Sequence, residues 1–129
     1  MLRYRESSAG VTDKSKKAAA LNLDKIGDVK EIRGYRFTST RKMGNDTYTT
    51  DHECVLVRGT KGTARFQGFL WGYSGEGPRG LVQLLECCGL SHNAAWTVAY
   101  KTPRRMRDGI DWSIRYPVPV PIDTNKLTY

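Results

Sequence analysis

The stretch FLWGYSGEGP at residues 69–78 divides the chain into two parts with different hydrophobic periods. Before it, apolar and polar residues alternate with the period of two that is typical of β-strands. After it, apolar residues recur at the spacing of an amphipathic helix, at Leu81, Leu84, Leu85 and Cys88. The stretch therefore predicts the end of a strand, a glycine-rich turn and a helix that begins at its proline.

The part before this stretch predicts an antiparallel meander of strands. Turn residues at 43–46 and 59–62 separate segments that are rich in β-branched and aromatic residues. The third strand would run to Tyr73 and place Phe69, Trp71 and Tyr73 on one face. The predicted strands are residues 32–40, 47–58, 63–73 and 110–116.

The part after it predicts two short helices. Gly89 is suited to end the first helix, Ser91 to cap the second, and the Thr102-Pro103 pair to end it. The expected fold class is α+β, an antiparallel three- to four-stranded meander with two short helices on one face.

Composition shifts suggest three regions. Residues 1–28 are polar and lysine-rich and predict a basic N-terminal arm with a short helix, ordered at its start only against a partner. Residues 29–116 predict the α+β core domain. Residues 117–129 begin with PVPVP and predict an extended, proline-rich tail on the surface.

Charge favours an anionic partner. The 129 residues contain 21 Lys and Arg against 13 Asp and Glu, a net charge of +8. Such an excess is typical of proteins that bind nucleic acid, nucleotides or acidic proteins. No apolar stretch approaches the roughly 20 residues of a membrane span, and three cysteines do not form a disulfide framework. We expect a cytoplasmic, non-enzymatic protein without a cofactor.

The glycine-rich loop is the first candidate site. A helix N-terminus presents free N–H groups to an anion, and an adjacent aromatic ring can stack on a base. The loop lacks the Lys-Ser/Thr pair of a P-loop and the glycine spacing of a dinucleotide site. A tight turn with no ligand is the alternative. The candidate ligand-binding residues are Tyr73, Gly75, Glu76, Gly77 and Arg79.

Basic residues outside the loop form the second candidate site. They would contact phosphates of a nucleic acid, so binding would weaken steeply with salt. The candidates are Arg33, Arg36, Arg41, Lys42, Arg104, Arg105 and Arg107.

The loop also resembles a motif in small, uncharacterised domains of phages, plasmids and other mobile elements. Those domains carry an aromatic-Gly-Tyr-x-Gly-x-Gly-Pro loop between a strand and a helix, and the resemblance covers residues 63–90. It implies a mobile-element accessory protein, such as a counter-defence factor that inhibits a defence complex or sequesters a signal. Such a protein would act in the host cytoplasm.

Three alternatives remain open on the sequence. A zinc site would need His52, Cys54, Cys88 and His92 to converge, although no Cys-x-x-Cys pair is present. A metal-dependent nuclease would use an acidic patch of Asp46, Asp51 and Glu53. An inhibitor would bind a host protein complex directly. Exposed sheet edges and the proline-rich tail also suggest a homodimer.

Overall fold

A mixed five-stranded sheet forms the centre of the protein, in the order β1-β4-β3-β2-β5. The computed structural model describes residues 2–6 and 11–128. The strands are β1 (Leu2–Arg5), β2 (Val29–Met43), β3 (Asp46–Gly59), β4 (Gly62–Phe66) and β5 (Gly109–Val120). β1 is parallel to β4, and every other neighbouring pair is antiparallel.

Helices cover one face of this sheet. The α-helices are α1 (Thr12–Asn22), α2 (Glu76–Cys87) and α3 (His92–Lys101), and short 3₁₀ helices follow at Leu23–Ile26 and Thr124–Lys126. The α+β class is confirmed, and the meander of β2, β3 and β4 is present. The sheet has one strand more than the predicted maximum of four, because β1 joins its edge, and α1, a helix within the predicted N-terminal arm, belongs to the folded core.

The N-terminal residues depart most from expectation. Leu2–Arg5 pairs with β4 as an edge strand of the sheet, where the sequence predicted an arm that orders only against a partner. The rest of the predicted arm includes residues 7–10, which lie outside the described residues.

The third strand is shorter than predicted, because it ends at Phe66 rather than at Tyr73. Gly68 donates its N–H to Ser15 of α1, at 2.8 Å, instead of continuing a sheet ladder. The chain then turns at Gly72, whose φ of 84° is costly for residues with a side chain. Phe69 and Trp71 are consequently fully buried in the core between sheet and helices.

The proline-rich segment joins the sheet rather than forming a separate extended tail. β5 continues through Pro117 and Pro119 to Val120, which pairs with Val29. Since β5 is an edge strand, one side of its backbone needs no ladder partner, and proline is tolerated there.

The first predicted helix is confirmed by its buried stripe. Leu81, Leu84, Leu85 and Cys88 have no exposed surface. The helix begins at Glu76, so the proline at 78 occupies its third position rather than its first. Gly89, at φ 91°, donates to Glu86, and Leu90 donates to Leu85, which is the Schellman arrangement.

The second predicted helix is confirmed by its cap. Ser91 accepts a hydrogen bond from the Ala94 N–H at 3.2 Å, and the helix ends at Lys101 before Thr102. Among the described residues, no helix is both long and apolar enough to cross a membrane.

A β-hairpin extends beyond the rest of the sheet. The pairing of β2 with β5 ends at Arg36, and that of β3 with β4 ends at Val55. Beyond these points β2 and β3 pair only with each other, and residues 38–51 are exposed on both faces. We call this segment the hairpin arm.

Candidate nucleic-acid interface

Strand register places arginines on the sheet face that the helices leave uncovered. Residues that pair directly across strands share a face. Ile32 and Val57 pair in this way and are fully buried, so they lie on the face of the sheet that the helices cover. The neighbouring row in register therefore lies on the opposite, open face. From β1 to β5, that row is Arg3, Thr63, Arg58, Glu31 and Arg115.

A second row lies two residues further along the strands on the same face. In strand order it is Arg5, Arg65, Leu56, Arg33 and Ser113. Every strand of the sheet thus contributes at least one arginine to the open face. Because neighbouring strands lie about 4.8 Å apart, each row spans roughly 19 Å from β1 to β5.

Glu31 is the acidic centre of the first row. Its carboxylate pairs with Arg33, with Arg58 at 3.2 Å and with Arg115 at 3.7 Å. Burial opposes ionisation, but the hydrogen bond and charge of Arg33, with the charges of Arg115 and Arg58, hold the pKa of Glu31 below its usual range. The carboxylate is therefore ionised at neutral pH and fixes the positions of these guanidinium groups.

The other arginines of the two rows have no such acidic partner among the described residues. Within residues 2–6 and 11–128, no carboxylate lies within ion-pair distance of Arg3, Arg5 or Arg65. The Nε atom of Arg65 is also buried without a hydrogen-bond partner. The open face consequently keeps an excess of positive charge beside β1 and β4.

These arginines surround a concavity of about 370 Å³. Leu56 and Tyr35, both partly exposed, also line it, and we call these two side chains its floor. Burial raises the pKa of Tyr35 above its usual value, and a hydrogen bond with the nearby Arg65 guanidinium offsets only part of that rise. The concavity therefore combines a cationic rim with an apolar and aromatic floor. The rim is formed by Arg3, Arg5, Arg33, Arg58 and Arg65.

An aromatic zone adjoins the concavity on the side of the hairpin arm. The rings of Tyr35 and Phe37 lie 6.1 Å apart, and Phe37 stacks on His52 at 4.6 Å. The guanidinium of Arg65 lies 5.4 Å from the Phe37 ring centroid, within range of a cation–π interaction.

Of the basic residues singled out by the sequence, Arg33 lies on this face, but three others serve the fold. Arg36 is only 5% exposed and pairs with Glu53 at 3.1 Å. Arg104 pairs with the same carboxylate, which raises the pKa of the guanidinium. Arg105 pairs with Asp111 at 3.1 Å. These arginines attach the segment after α3 to the sheet, and the guanidinium of Arg36 is not accessible to a phosphate.

The remaining predicted phosphate contacts are exposed but dispersed. Arg41 and Lys42 lie on the hairpin arm, and Arg107 lies in the segment between α3 and β5. None of the three borders the concavity.

Close packing explains why residue 77 of the glycine-rich loop is a glycine. A Cβ atom at Gly77 would lie 2.6 Å from the Tyr73 hydroxyl and 2.8 Å from Leu70 Cβ. Tyr73 is 37% exposed, and the Arg104 guanidinium lies 5.1 Å from its ring centroid. Burial raises the pKa of Tyr73, with Arg104 acting in the opposite direction.

At the start of α2, the remaining loop candidates face solvent or the backbone. Glu76 and Arg79 form an exposed ion pair at 3.3 Å. The N–H of Arg79 donates to the Gly75 carbonyl at 3.2 Å, as in an ordinary first helical turn. The loop is thus a close-packed turn at the start of α2, and a ligand site in it stays a prediction.

The possible metal ligands do not assemble. His52 contacts Ser39 at 2.8 Å, His92 contacts Glu86 at 2.8 Å, and Cys88 lies in the core. In the part of the chain that the structure describes, no group of three His, Cys, Asp or Glu side chains could hold a metal ion.

Comparisons with protein-family models, curated proteins and solved structures found no match for this chain. The resemblance of residues 63–90 to mobile-element domains therefore stays a sequence-based prediction.

Sequence reasoning missed most of the open-face arginines. The available signal was the alternation of arginine with other residues in Arg3-x-Arg5 and Arg33-x-Tyr35, which on a strand places both members on one face. Recognising Arg58, Arg65 and Arg115 as their neighbours required the order and register of the strands, which no local pattern contains.

Proposed function

We propose that the protein is a non-enzymatic binding protein for nucleic acid and that the open face of its sheet is the binding surface. The observation that carries this proposal is the presence of arginine from all five strands on the one helix-free face. The net charge of +8 is consistent with an anionic ligand.

The chemistry of these side chains favours phosphates. Guanidinium groups donate paired N–H bonds that match the oxygens of a phosphate, and they remain charged at every physiological pH. Arg58 and Arg115 are 48% and 81% exposed despite their ion pairs with Glu31, so both keep donors that face solvent. A chain of phosphates that crosses the strands would meet a guanidinium on each one.

The arrangement also favours an extended ligand over a single small anion. Two basic rows, each roughly 19 Å long, offer more contacts than one phosphate group can use. A polyanion releases counterions at each contact, so its affinity depends steeply on salt.

The test is a salt titration of binding by fluorescence anisotropy. Labelled single-stranded DNA, single-stranded RNA and duplex DNA of equal length are compared, with wild type and the double variant R5Q/R65Q. Each lost phosphate contact should reduce the slope of log affinity against log salt by about 0.7 for single strands. The double variant should therefore lose about 1.4 from that slope.

The matched control is K17Q/K101Q, which removes the same charge from exposed positions on α1 and α3. We expect its slope to stay close to that of wild type. No binding at low salt by any of the nucleic acids, or equal slopes for the two double variants, would contradict the proposal.

A further inference from the structure

We infer that the concavity on the open face is a binding site for one unpaired nucleobase. The ligand is therefore a single-stranded nucleic acid. This inference rests on the proposed function and specifies its ligand. It follows from the floor of the concavity rather than from its charged rim.

A purely electrostatic surface does not need an apolar floor. Leu56 and Tyr35 nevertheless line the concavity and are partly exposed, so water contacts them in the free protein. Covering these side chains with the flat π-face of an aromatic ring removes that contact. Nucleobases have such rings, whereas phosphates, sugars and acidic side chains do not.

The size of the concavity agrees with one nucleotide. About 370 Å³ lies at the lower end of the range for small-molecule sites. The rim arginines lie on both sides of Leu56 in the strand order, with Arg3 and Arg5 on β1 and Arg33 on β2. A base on the floor therefore has guanidinium groups available for the phosphates that precede and follow it.

A duplex does not fit this arrangement. Paired bases are stacked on one another and present only their edges in the grooves, so no base face is free for the floor. Single strands expose those faces, and stacking on aromatic side chains tolerates any base. The open face should then prefer single strands, although a duplex has the higher charge density.

The test compares ligands of equal length on the wild-type protein by competition against labelled single-stranded DNA. The competitors are unlabelled single-stranded DNA and RNA, duplex DNA, an abasic strand with intact phosphates, inorganic polyphosphate and a mononucleotide. We expect the abasic strand and polyphosphate to bind with an affinity at least about tenfold lower than that of the single strand. The duplex should also compete more weakly.

Variants of the floor separate base binding from charge. Tyr35→Leu and Leu56→Gln should each weaken single-strand binding by about fivefold or more, while the salt slope stays that of wild type. Tyr48→Leu is the control, because Tyr48 is an exposed aromatic residue on the hairpin arm outside the concavity. Circular dichroism spectra and melting curves verify that each variant is folded. The abasic competitor tests base binding on the wild-type protein, without any variant.

The outcomes distinguish this inference from the proposed function. The abasic strand, polyphosphate and the single strand could compete equally while R5Q/R65Q still lowers the salt slope. The nucleobase site would then be wrong, and the open face would remain the nucleic-acid-binding surface. If no ligand binds, both are wrong. If a mononucleotide competes as well as the strand, the site binds free nucleotides and not single strands. If the mononucleotide competes far more weakly, the site binds single strands.

Discussion

Arg58 on β3 lies 3.2 Å from the carboxylate of Glu31 on β2, its direct cross-strand partner on the open face. Glu31 is almost completely buried, whereas half of the Arg58 side chain faces solvent. One acidic group thus orders several guanidinium groups without removing them from the surface. Glu31 is a positioning residue in this account, and it also reduces the positive potential of the face.

Removal of the Glu31 charge should change binding and stability in opposite directions. Glu31→Gln frees Arg33, Arg58 and Arg115, so affinity for single-stranded nucleic acid should rise severalfold at low salt. Loss of the ion pairs should lower the free energy of unfolding by about 1 kcal/mol, since Arg58 and Arg115 are largely solvated. Anisotropy and chemical denaturation measure the two effects. Glu76→Gln, which breaks the exposed pair with Arg79, should leave both nearly unchanged.

The same carboxylate predicts a pH dependence of stability. Because the pKa of Glu31 is lower in the folded protein than its usual value, its ionised form stabilises the fold above that usual value. This contribution should disappear as the pH falls through the lowered pKa. The difference in unfolding free energy between wild type and Glu31→Gln should be constant near neutral pH and shrink in acid. A difference that grows in acid would show that the pKa shift has the opposite sign.

The glycine-rich loop should not tolerate a side chain at position 77. A side chain there meets Leu70 Cβ at 2.8 Å, so Gly77→Ala should destabilise the protein by about 1–3 kcal/mol. Ser74→Ala, at an exposed position of the same loop, serves as the control. Thermal melts measure the cost. The folded fraction of Gly77→Ala should still bind nucleic acid with wild-type affinity, because the loop lies apart from the concavity. Loss of binding by the folded variant would instead favour a site in the loop.

The hairpin arm should be dispensable for folding. Residues 40–49 can be replaced by Asn-Gly, which joins the cross-strand partners Ser39 and Thr50 through a two-residue turn. No removed side chain is buried, so the free energy of unfolding should change by less than about 1 kcal/mol. Circular dichroism and chemical denaturation measure this. A broad or non-cooperative transition would show that the arm supports the sheet.

The cysteines should be inert in the native state. Burial raises the pKa of all three thiols, that of Cys87 to about 11, and Cys54 and Cys88 have no exposed surface. Since the thiolate is the reactive form, a chromogenic disulfide reagent should label the folded protein only slowly at neutral pH. All three should react rapidly in denaturant. Fast labelling of any cysteine without denaturant would contradict this burial.

The extent to which sequence predicted the fold depended on how local each signal is. The stripe of α2, the Gly89 stop and the Ser91 cap depend on residues within one or two turns, and all were confirmed. β1 gave no such signal, because its four residues become a strand only by pairing with β4, distant in sequence. Likewise, the aromatic alternation at Phe69 and Trp71 reflects burial in a loop and mimicked a strand.

The same limit applied to the candidate site. Arg36 and Arg104 look like free cations in the sequence, yet both pair with Glu53, which no local pattern reveals. Arg58 and Arg65 look like ordinary strand residues, yet pairing places them on one surface with Arg33. Net charge favours an anionic ligand but does not say which cations would contact it, whereas strand register decides which arginines lie on the open face.

NMR of the arginine Nε–Hε groups tests most directly whether the open sheet face contacts nucleic acid. Titration with single-stranded DNA at low salt should shift the signals of Arg3, Arg5 and Arg58. The signals of Arg36, Arg104 and Arg105, which are held by Glu53 and Asp111, should stay in place. Shifts confined to Arg79 and the backbone of residues 73–79, or no shifts at all, would contradict the account.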